Sequence, residues 1–432
     1  MKICVRELGF ALVLMLGPFT FGEVICYPSP AGKGIRADHD LPEDSTQWSF
    51  YNSVSSLFAI AGPFVTTGFL KVFNNSRKKV VFVSACFGTM FWLLNCVTKV
   101  SVWAGIVMRA FLGVVMGMYS TISPMYLVEI APKGTSGFFG SLNQIGIVIG
   151  MVFFDFIGPS LTYMDLNYIG AAVTALQACL IWTIDESPSV AIINREIQRL
   201  KSGEYTITPK ESLWQKKYTF GLCSGVLMMF LQQFCGINAI LTNLKDIMDK
   251  TGMDIDGNYQ GGIASCSQLI AVFVGALIID KIGRKMTWMI STCMIVVFLL
   301  IFALNVRFEW SNVLPLICIF LYQLGFGLGM GPIPWFIIPE YFNDDVRSMA
   351  TMITSASNWI FSFLVIMVWH PMNKGMGMFG ALLVFVFISI GAIIFGIFCV
   401  NEPTLKSPQE IREEMIAEEK KESFIENEPE AL

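Results

Sequence analysis

Polar and apolar positions along this chain segregate into long blocks instead of alternating with a short period. Predominantly apolar stretches recur at Leu8–Tyr27, Trp48–Phe73, Lys79–Thr98, Val102–Val128, Gly137–Gly158 and Asp165–Ile184. After a polar interval they resume at Lys217–Lys245, Tyr259–Asp280, Lys285–Val306, Ser311–Pro339, Ala350–Pro371 and Met376–Val400. Each runs to about 20 residues or more, enough for a helix to cross the ~30 Å hydrocarbon core of a bilayer. Backbone N–H and C=O groups find no water at that depth, so each stretch must satisfy its own hydrogen bonds as a helix. The pattern predicts an all-α membrane protein of twelve transmembrane helices, in two sets of six. The first run follows Lys2 and Arg6, as a secretory leader would. It lacks a small-residue cleavage site and is followed by further spans, so it counts as the first helix.

The polar intervals give the organisation. Residues 1–184 form an N-terminal half, 185–216 a linker, 217–400 a C-terminal half and 401–432 an acidic tail. In the linker, Ile192, Ile193, Ile197 and Leu200 recur at helical spacing among Arg195, Glu196 and Arg199, the pattern of a helix lying on the surface. The tail opens with Ser407-Pro408-Gln409-Glu410, a capping box with proline at the first helical position. With both termini on one side, about 20 of the 29 Lys and Arg fall on that side, around Arg77–Lys79, in the linker, at Lys281–Lys285 and in the tail. The excess of basic residues on cytoplasmic loops then places both termini in the cytoplasm, in a plasma membrane or an endomembrane.

Composition agrees with this pattern and narrows the chemistry. Hydrophobic residues make up 54% of the chain and charged residues 14%, against roughly 25% charged in a soluble domain. A net charge of −4, with no long basic run, excludes a nucleic-acid partner. The 11 cysteines are scattered, many inside apolar runs (Cys86, Cys179, Cys223, Cys266, Cys318), and none forms a C-x-x-C pair. Only His39 and His370 supply imidazoles. No metal or cofactor is expected, and the absence of a nucleophile–base pair or phosphate loop argues against an enzyme.

The candidate chemistry lies in polar side chains stranded inside apolar runs: Gln144, Gln232, Gln233, Asn238, Gln268 and Asn358. An unpaired amide in hydrocarbon is costly, so such groups turn toward a cavity or toward one another. Amides donate and accept at once, which suits a neutral polyhydroxyl ligand, and Trp335 offers a flat apolar face for the C–H side of a sugar ring. The alternative role for each amide is to bond helix to helix, worth about 0.6 kcal/mol. Gly236 and the prolines of Pro332-Ile333-Pro334 are expected to break their helices beside such a site. Gly113-x-x-x-Gly117 and Gly146-x-x-x-Gly150 fit close helix packing. Two intramembrane charges, Glu23 and Arg109, would each cost about 2.5–3.5 kcal/mol alone at mid-membrane and are expected to pair.

Several strings carry a family resemblance. Asp280-Lys281-Ile282-Gly283-Arg284-Lys285 joins the eighth and ninth runs. Glu340 precedes Arg347 by seven residues, a spacing repeated in weaker form by Glu129 and Ser136. With these go Pro124-Met125-Tyr126-Leu127-Val128-Glu129, Glu186-Ser187-Pro188, Gln232-Gln233-Phe234-Cys235-Gly236-Ile237-Asn238, Gly331-Pro332-Ile333-Pro334-Trp335-Phe336 and Ser357-Asn358-Trp359. In this order, over nearly the whole chain, they resemble the sugar porters of the major facilitator superfamily. The resemblance implies a carrier of a small neutral sugar, with a hexose leading and another polyol or a disaccharide as alternatives. The two halves would rock about a midplane site, in a facilitative or proton-coupled cycle. Glu129, Asp280, Arg284, Glu340 and Arg347 become inner-gate ion pairs. Glu23 and Arg109 fall where proton-coupled members carry an acid and an arginine.

The sequence departs from the family at several points. Val72-Phe73-Asn74-Asn75-Ser76 offers neither the aspartate nor the glycine of the first-half motif, and Ser136 replaces its arginine, so the N-terminal clamp is expected to be the weaker one. Thr242 and Asn243 replace gate tyrosines, and Gly327 stands where animal glucose carriers have a glutamate. These departures motivate a second class of function, a sugar sensor or degenerate porter that binds without efficient turnover.

Overall fold

A computed structural model describes residues 5–42, 45–132, 134–190, 192, 211–242 and 257–401. Among these residues it is helical, without strands. Twelve helices among the described residues are long and apolar enough to cross a membrane. They are α1 Val5–Cys26, α2 Phe50–Val72, α3 Arg77–Lys99, α4 Val102–Glu129, α5 Ser136–Phe154 and α6 Tyr163–Thr183, then α7 Lys216–Leu241, α8 Ser265–Ile282, α9 Arg284–Phe308, α10 Leu314–Tyr341, α11 Asp345–Trp369 and α12 Pro371–Phe398. Each matches one predicted apolar run, offset by a few residues at the ends. The remaining linker helix positions, the capping box in the tail and Asn243 lie outside the described residues; Ile192 is buried.

Apolar side chains divide between two destinations. Phe50, Leu93, Leu94, Trp103, Phe156, Phe273, Phe387 and Phe398 stay exposed, which a bilayer permits and water does not. The rest bury in separate cores. Met228, Trp288, Leu299, Phe302, Phe336, Leu382 and Phe385 belong to a core built almost wholly from α7–α12. Tyr119, Ile122, Tyr126, Phe139 and Val148 pack near one end of α1–α6, and Trp92, Tyr51, Leu112 and Phe154 near the other. Small residues let the helices approach closely. A Cβ on Gly117 would lie 2.1 Å from the Ala59 carbonyl of α2, and one on Gly150 would lie 2.1 Å from the Phe19 carbonyl of α1.

Three interruptions matter for the site. α7 stops at Phe234 and resumes at Ile237, with Gly236 at φ +94°. α10 passes through a π-turn at Phe326–Met330 before continuing as Ile333–Tyr341. Gly283, at φ +91°, makes the tight turn from α8 to α9. Glycine takes such dihedrals without the steric cost that a Cβ brings.

Candidate functional site

The breaks in α7 and α10 bring four of the predicted amides to one place. Gln232 and Gln233 end the first part of α7, and the turn at Gly236 folds Asn238 back over them. Asn238 Nδ2 donates to Gln233 Oε1 at 2.6 Å and to Ser362 Oγ of α11 at 3.0 Å. Gln233 Nε2 donates to Asn358 Oδ1 at 3.2 Å, and Asn358 Nδ2 donates to Gln232 Oε1 at 2.7 Å. Gln232 Nε2 reaches α10, donating to the Met330 and Gly331 carbonyls at 3.0 and 2.7 Å. Gln232, Gln233 and Asn358 are buried, and Asn238 is partly so. Each amide offers both donor and acceptor, so an internal bond can be traded for one to a hydroxyl without stranding a polar atom.

The other predicted sugar contacts sit on neighbouring helices. Trp335 is buried one turn beyond Gly331. On α5, Gly140 backs onto Phe336, its missing Cβ falling 2.3 Å from that side chain; Gln144 lies one turn along the same face and is buried. Gln268 is buried on α8, where its carbonyl lies against Gly327 of α10. Neither Gln144 nor Gln268 bonds to the four-amide cluster among the described residues. A Cβ at Gly327 would lie 2.8 Å from the Gln268 carbonyl oxygen and 2.8 Å from Ala271 Cβ. The position has no room for the glutamate of glucose carriers.

At one end of the bundle a charged network ties the two sets of six helices together. Arg77 Nε and an Nη donate to Glu129 at 3.1 and 3.0 Å, and Arg347 of α11 approaches the same carboxylate at 3.5 Å. Arg347 also donates to the Pro339 carbonyl at 2.9 Å and to Ser189 at 3.3 Å, while Ser187 donates to Glu129. Glu186 accepts from Ser76 and from the Lys78 N–H at the start of α3. On the other side, Arg284 pairs with Asp280 at 3.2 Å and Glu340 at 3.0 Å and donates to Ser136 at 2.8 Å. Asp280 also caps α5, accepting from the Gly137 and Phe138 N–H groups at 2.9 and 2.8 Å. Those donors belong to the first turn of α5, have no intrahelical acceptor and sit at the positive end of its dipole.

This network reverses the expectation of a weaker N-terminal clamp. Glu129 receives two guanidinium groups, one from each half. Glu340 receives one, and its Oε2 is buried without a hydrogen bond. The residue that would serve Glu340 as Arg347 serves Glu129 is Ser136, so losing its arginine weakens the set around the C-terminal acid.

The expected Glu23–Arg109 pair is not formed. Arg109 is fully buried and spends its charge elsewhere. It donates to the Val24 carbonyl at 2.9 Å and to Ser55 at 3.2 Å, and lies 5.4 and 5.5 Å from the ring centres of Tyr27 and Tyr51. Cation–π contacts of this kind strengthen once desolvated. Glu23 is 0% exposed, and neither carboxyl oxygen has a hydrogen-bond partner. The adjacent Gly22 packs against α5, where a Cβ would sit 2.0 Å from the Ile147 carbonyl.

Comparison with known proteins agrees with the motifs. The family described as "Sugar (and other) transporter" matches residues 32–202 and 185–415. The chain belongs to the sugar transporter family. Its relatives include a facilitated trehalose transporter, Tret1, of Bombyx mori, 26% identical over 99% of this chain and 90% of that protein. Sugar transporter ERD6-like 16 of Arabidopsis thaliana is 30% identical over 80% of this chain and 78% of its own length. Among solved structures, the proton:xylose symporter XylE superposes with a TM-score of 0.78 at 19% identity, covering 94% of this chain and 99% of that one. FucP in an outward conformation gives 0.71 at 13% identity, covering 91% and 99%. The fold is that of the major facilitator superfamily, and the protein is a multi-pass membrane protein that transports sugar.

Within this sugar transporter, three contributors escaped the sequence reading. Arg77 survives from the eroded first-half motif, and its basic run was visible, but its bidentate grip on Glu129 was not. Trp359, quoted only as part of a motif, bridges the halves. Its Nε1 donates to Ser120 of α4 at 3.1 Å, and its ring centre lies 5.4 Å from that of Phe21 of α1. Tyr322 of α10 donates to the Cys235 carbonyl at the α7 break, 3.1 Å away, and no motif marked it.

Proposed function

We propose that this transporter carries a small neutral sugar, a hexose first, by alternating access, with the two sets of six helices as the moving bodies. The observation that carries the reading is the four-amide cluster of Gln232, Gln233, Asn238 and Asn358 at paired helix breaks, with buried Trp335 one turn away. The cluster is uncharged and can donate and accept in several directions, which favours hydroxyl groups over ions. Gln144 and Gln268 complete the proposed lining from α5 and α8. Glu129, Asp280, Arg284, Glu340 and Arg347 form the proposed gate at the cytoplasmic end, with both termini on that side. The basic residues around Arg77–Lys79 and Lys281–Lys285 support that orientation.

Glu23 is the proposed proton carrier, because its buried carboxyl group is committed to no cation in this conformation. Uptake should then acidify a lightly buffered lumen, and Glu23→Gln should leave exchange intact while abolishing the acidification. Sugar flux indifferent to a proton gradient in the unaltered protein would remove coupling from the account. The trehalose transporter among the relatives favours a second reading, with a disaccharide as cargo. Counterflow of radiolabelled D-glucose and of radiolabelled trehalose in proteoliposomes separates the two. Trans-accelerated exchange of glucose supports the hexose reading, exchange of trehalose alone the second, and saturable binding without exchange contradicts both.

A further inference from the structure

We infer that Ser291 of α9, which is not part of the proposed sugar-contacting set, is a positioning residue for the amide cluster, acting through the π-turn of α10. The inference rests on the reading of that cluster as the sugar site. Most hydroxyls on the surrounding helices bond back to their own helix. Thr287 donates to the Gly283 carbonyl at 2.7 Å and Thr292 to the Trp288 carbonyl at 2.9 Å. Such i−4 bonds leave a neighbouring helix untouched. Ser291 behaves differently. It is fully buried, and its Oγ donates to the Gly325 carbonyl at 2.7 Å and accepts from the Met330 N–H at 2.8 Å.

Gly325 and Met330 are five residues apart, the spacing of a π-turn, and the Gly331 N–H donates to the Phe326 carbonyl at 2.8 Å over the same spacing. The hydroxyl of α9 thus bonds both ends of this five-residue step and fixes the wide turn from outside. The close approach that permits this comes from glycine. A Cβ on Gly329 would lie 3.0 Å from Ser291 Cβ and 2.8 Å from the Thr287 carbonyl oxygen. The residue whose N–H is held, Met330, and its neighbour Gly331 present the two carbonyls that anchor Gln232. A chain of contacts therefore runs from Ser291 through the peptide units of Met330 and Gly331 to Gln232, and from there to Asn358 and Gln233. Removing the hydroxyl frees the turn to rewind, swings both carbonyls and loosens the amide that a sugar must find in place.

The test is a double-mutant cycle on the full chain in proteoliposomes, with D-glucose and trehalose as the exchanged probes. Ser291→Ala should raise the half-saturation concentration about tenfold, the scale of one buried polar group left unpaired, and change maximal exchange by less than about twofold. Gln232→Ala should raise it at least as much. The double variant should be no worse than Gln232→Ala alone, because both changes break the same chain of contacts. Ser291→Cys, which keeps a weaker donor and acceptor, should fall between serine and alanine, and it carries the test if the alanine variant does not fold. Effects of Ser291→Ala and Gln232→Ala that simply multiply, or an unchanged half-saturation in a folded Ser291 variant, would overturn the inference. If Gln232→Ala itself leaves half-saturation unchanged, the amide-site reading fails, and the role of Ser291 falls with it.

Discussion

Replacing Glu129 with glutamine removes the charge at the hub of the clamp while keeping its volume. The carboxylate is 0% exposed and takes two bonds from Arg77, at 3.1 and 3.0 Å, and one approach from Arg347 at 3.5 Å. Taking one partner out of a buried ion pair costs about 3–5 kcal/mol. Most of that falls on Arg77, which shares a half with Glu129 and donates to it twice. Of the Glu129 contacts among the described residues, only that with Arg347 crosses between the two sets of six helices. A hydrogen bond to a charged group is worth about 1.5–3 kcal/mol, so the closed state should lose roughly 10- to 150-fold in population. Amide exchange at Gly137 and Phe138 reads that population directly. Their N–H groups lie in the first turn of α5 and are capped by Asp280 of the other half. Hydrogen–deuterium exchange should accelerate there by about that factor, while the interior of α9 around Leu299 stays protected. Unchanged exchange at the two amides of a folded variant would refute the gate reasoning. An equal rise throughout α9 would mean that Glu129 supports the fold instead.

Ser136→Arg should place a second guanidinium beside the unpartnered Oε2 of Glu340, hold the clamp closed and slow sugar exchange by about tenfold; exchange at the unaltered rate would show that the vacant oxygen is no seat for it. Gly236→Ala sets a Cβ at φ +94° and 2.4 Å from the Phe385 ring, so detergent-solubilised protein should lose about 1–3 kcal/mol, read as a lower melting temperature, and an unshifted melt would deny the strain. Trp359→Phe removes the donor to Ser120 but keeps the ring near Phe21; half-saturation for sugar should hold while the rate of exchange changes, and a loss of affinity alone would move Trp359 into the binding site.

The twelve spans were legible because spanning a bilayer imposes a length, and length survives without any knowledge of partners. The break at Gly236 and the bend before Pro332 were legible for a similar local reason, since glycine and proline state their backbone preferences in place. Convergence of Gln232, Gln233, Asn238 and Asn358 followed from the expense of isolated amides in hydrocarbon. What the sequence hid are relations between residues far apart. Pairing of Arg109 with the nearest acid is the expectation, yet a carbonyl, a hydroxyl and two aromatic rings engage it from within the N-terminal half, leaving Glu23 alone. Ser136 was read as damage to its own half, because a linear motif does not show that this position reaches across to Glu340. Ser291 looks like any mid-helix serine until its bonds to Gly325 and Met330 of the neighbouring helix are seen.

The proposal that the amide cluster holds the sugar is tested most directly at Asn358, whose loss leaves Gln232 Oε1 without its shortest bond and Gln233 Nε2 without its α11 acceptor. The measurement is the half-saturation concentration for counterflow of radiolabelled sugar by Asn358→Ala beside the unaltered chain. A rise of roughly 10- to 100-fold is expected from one to two unpaired buried polar groups, with the variant still folded and inserted. An unchanged half-saturation in that folded variant would contradict the account.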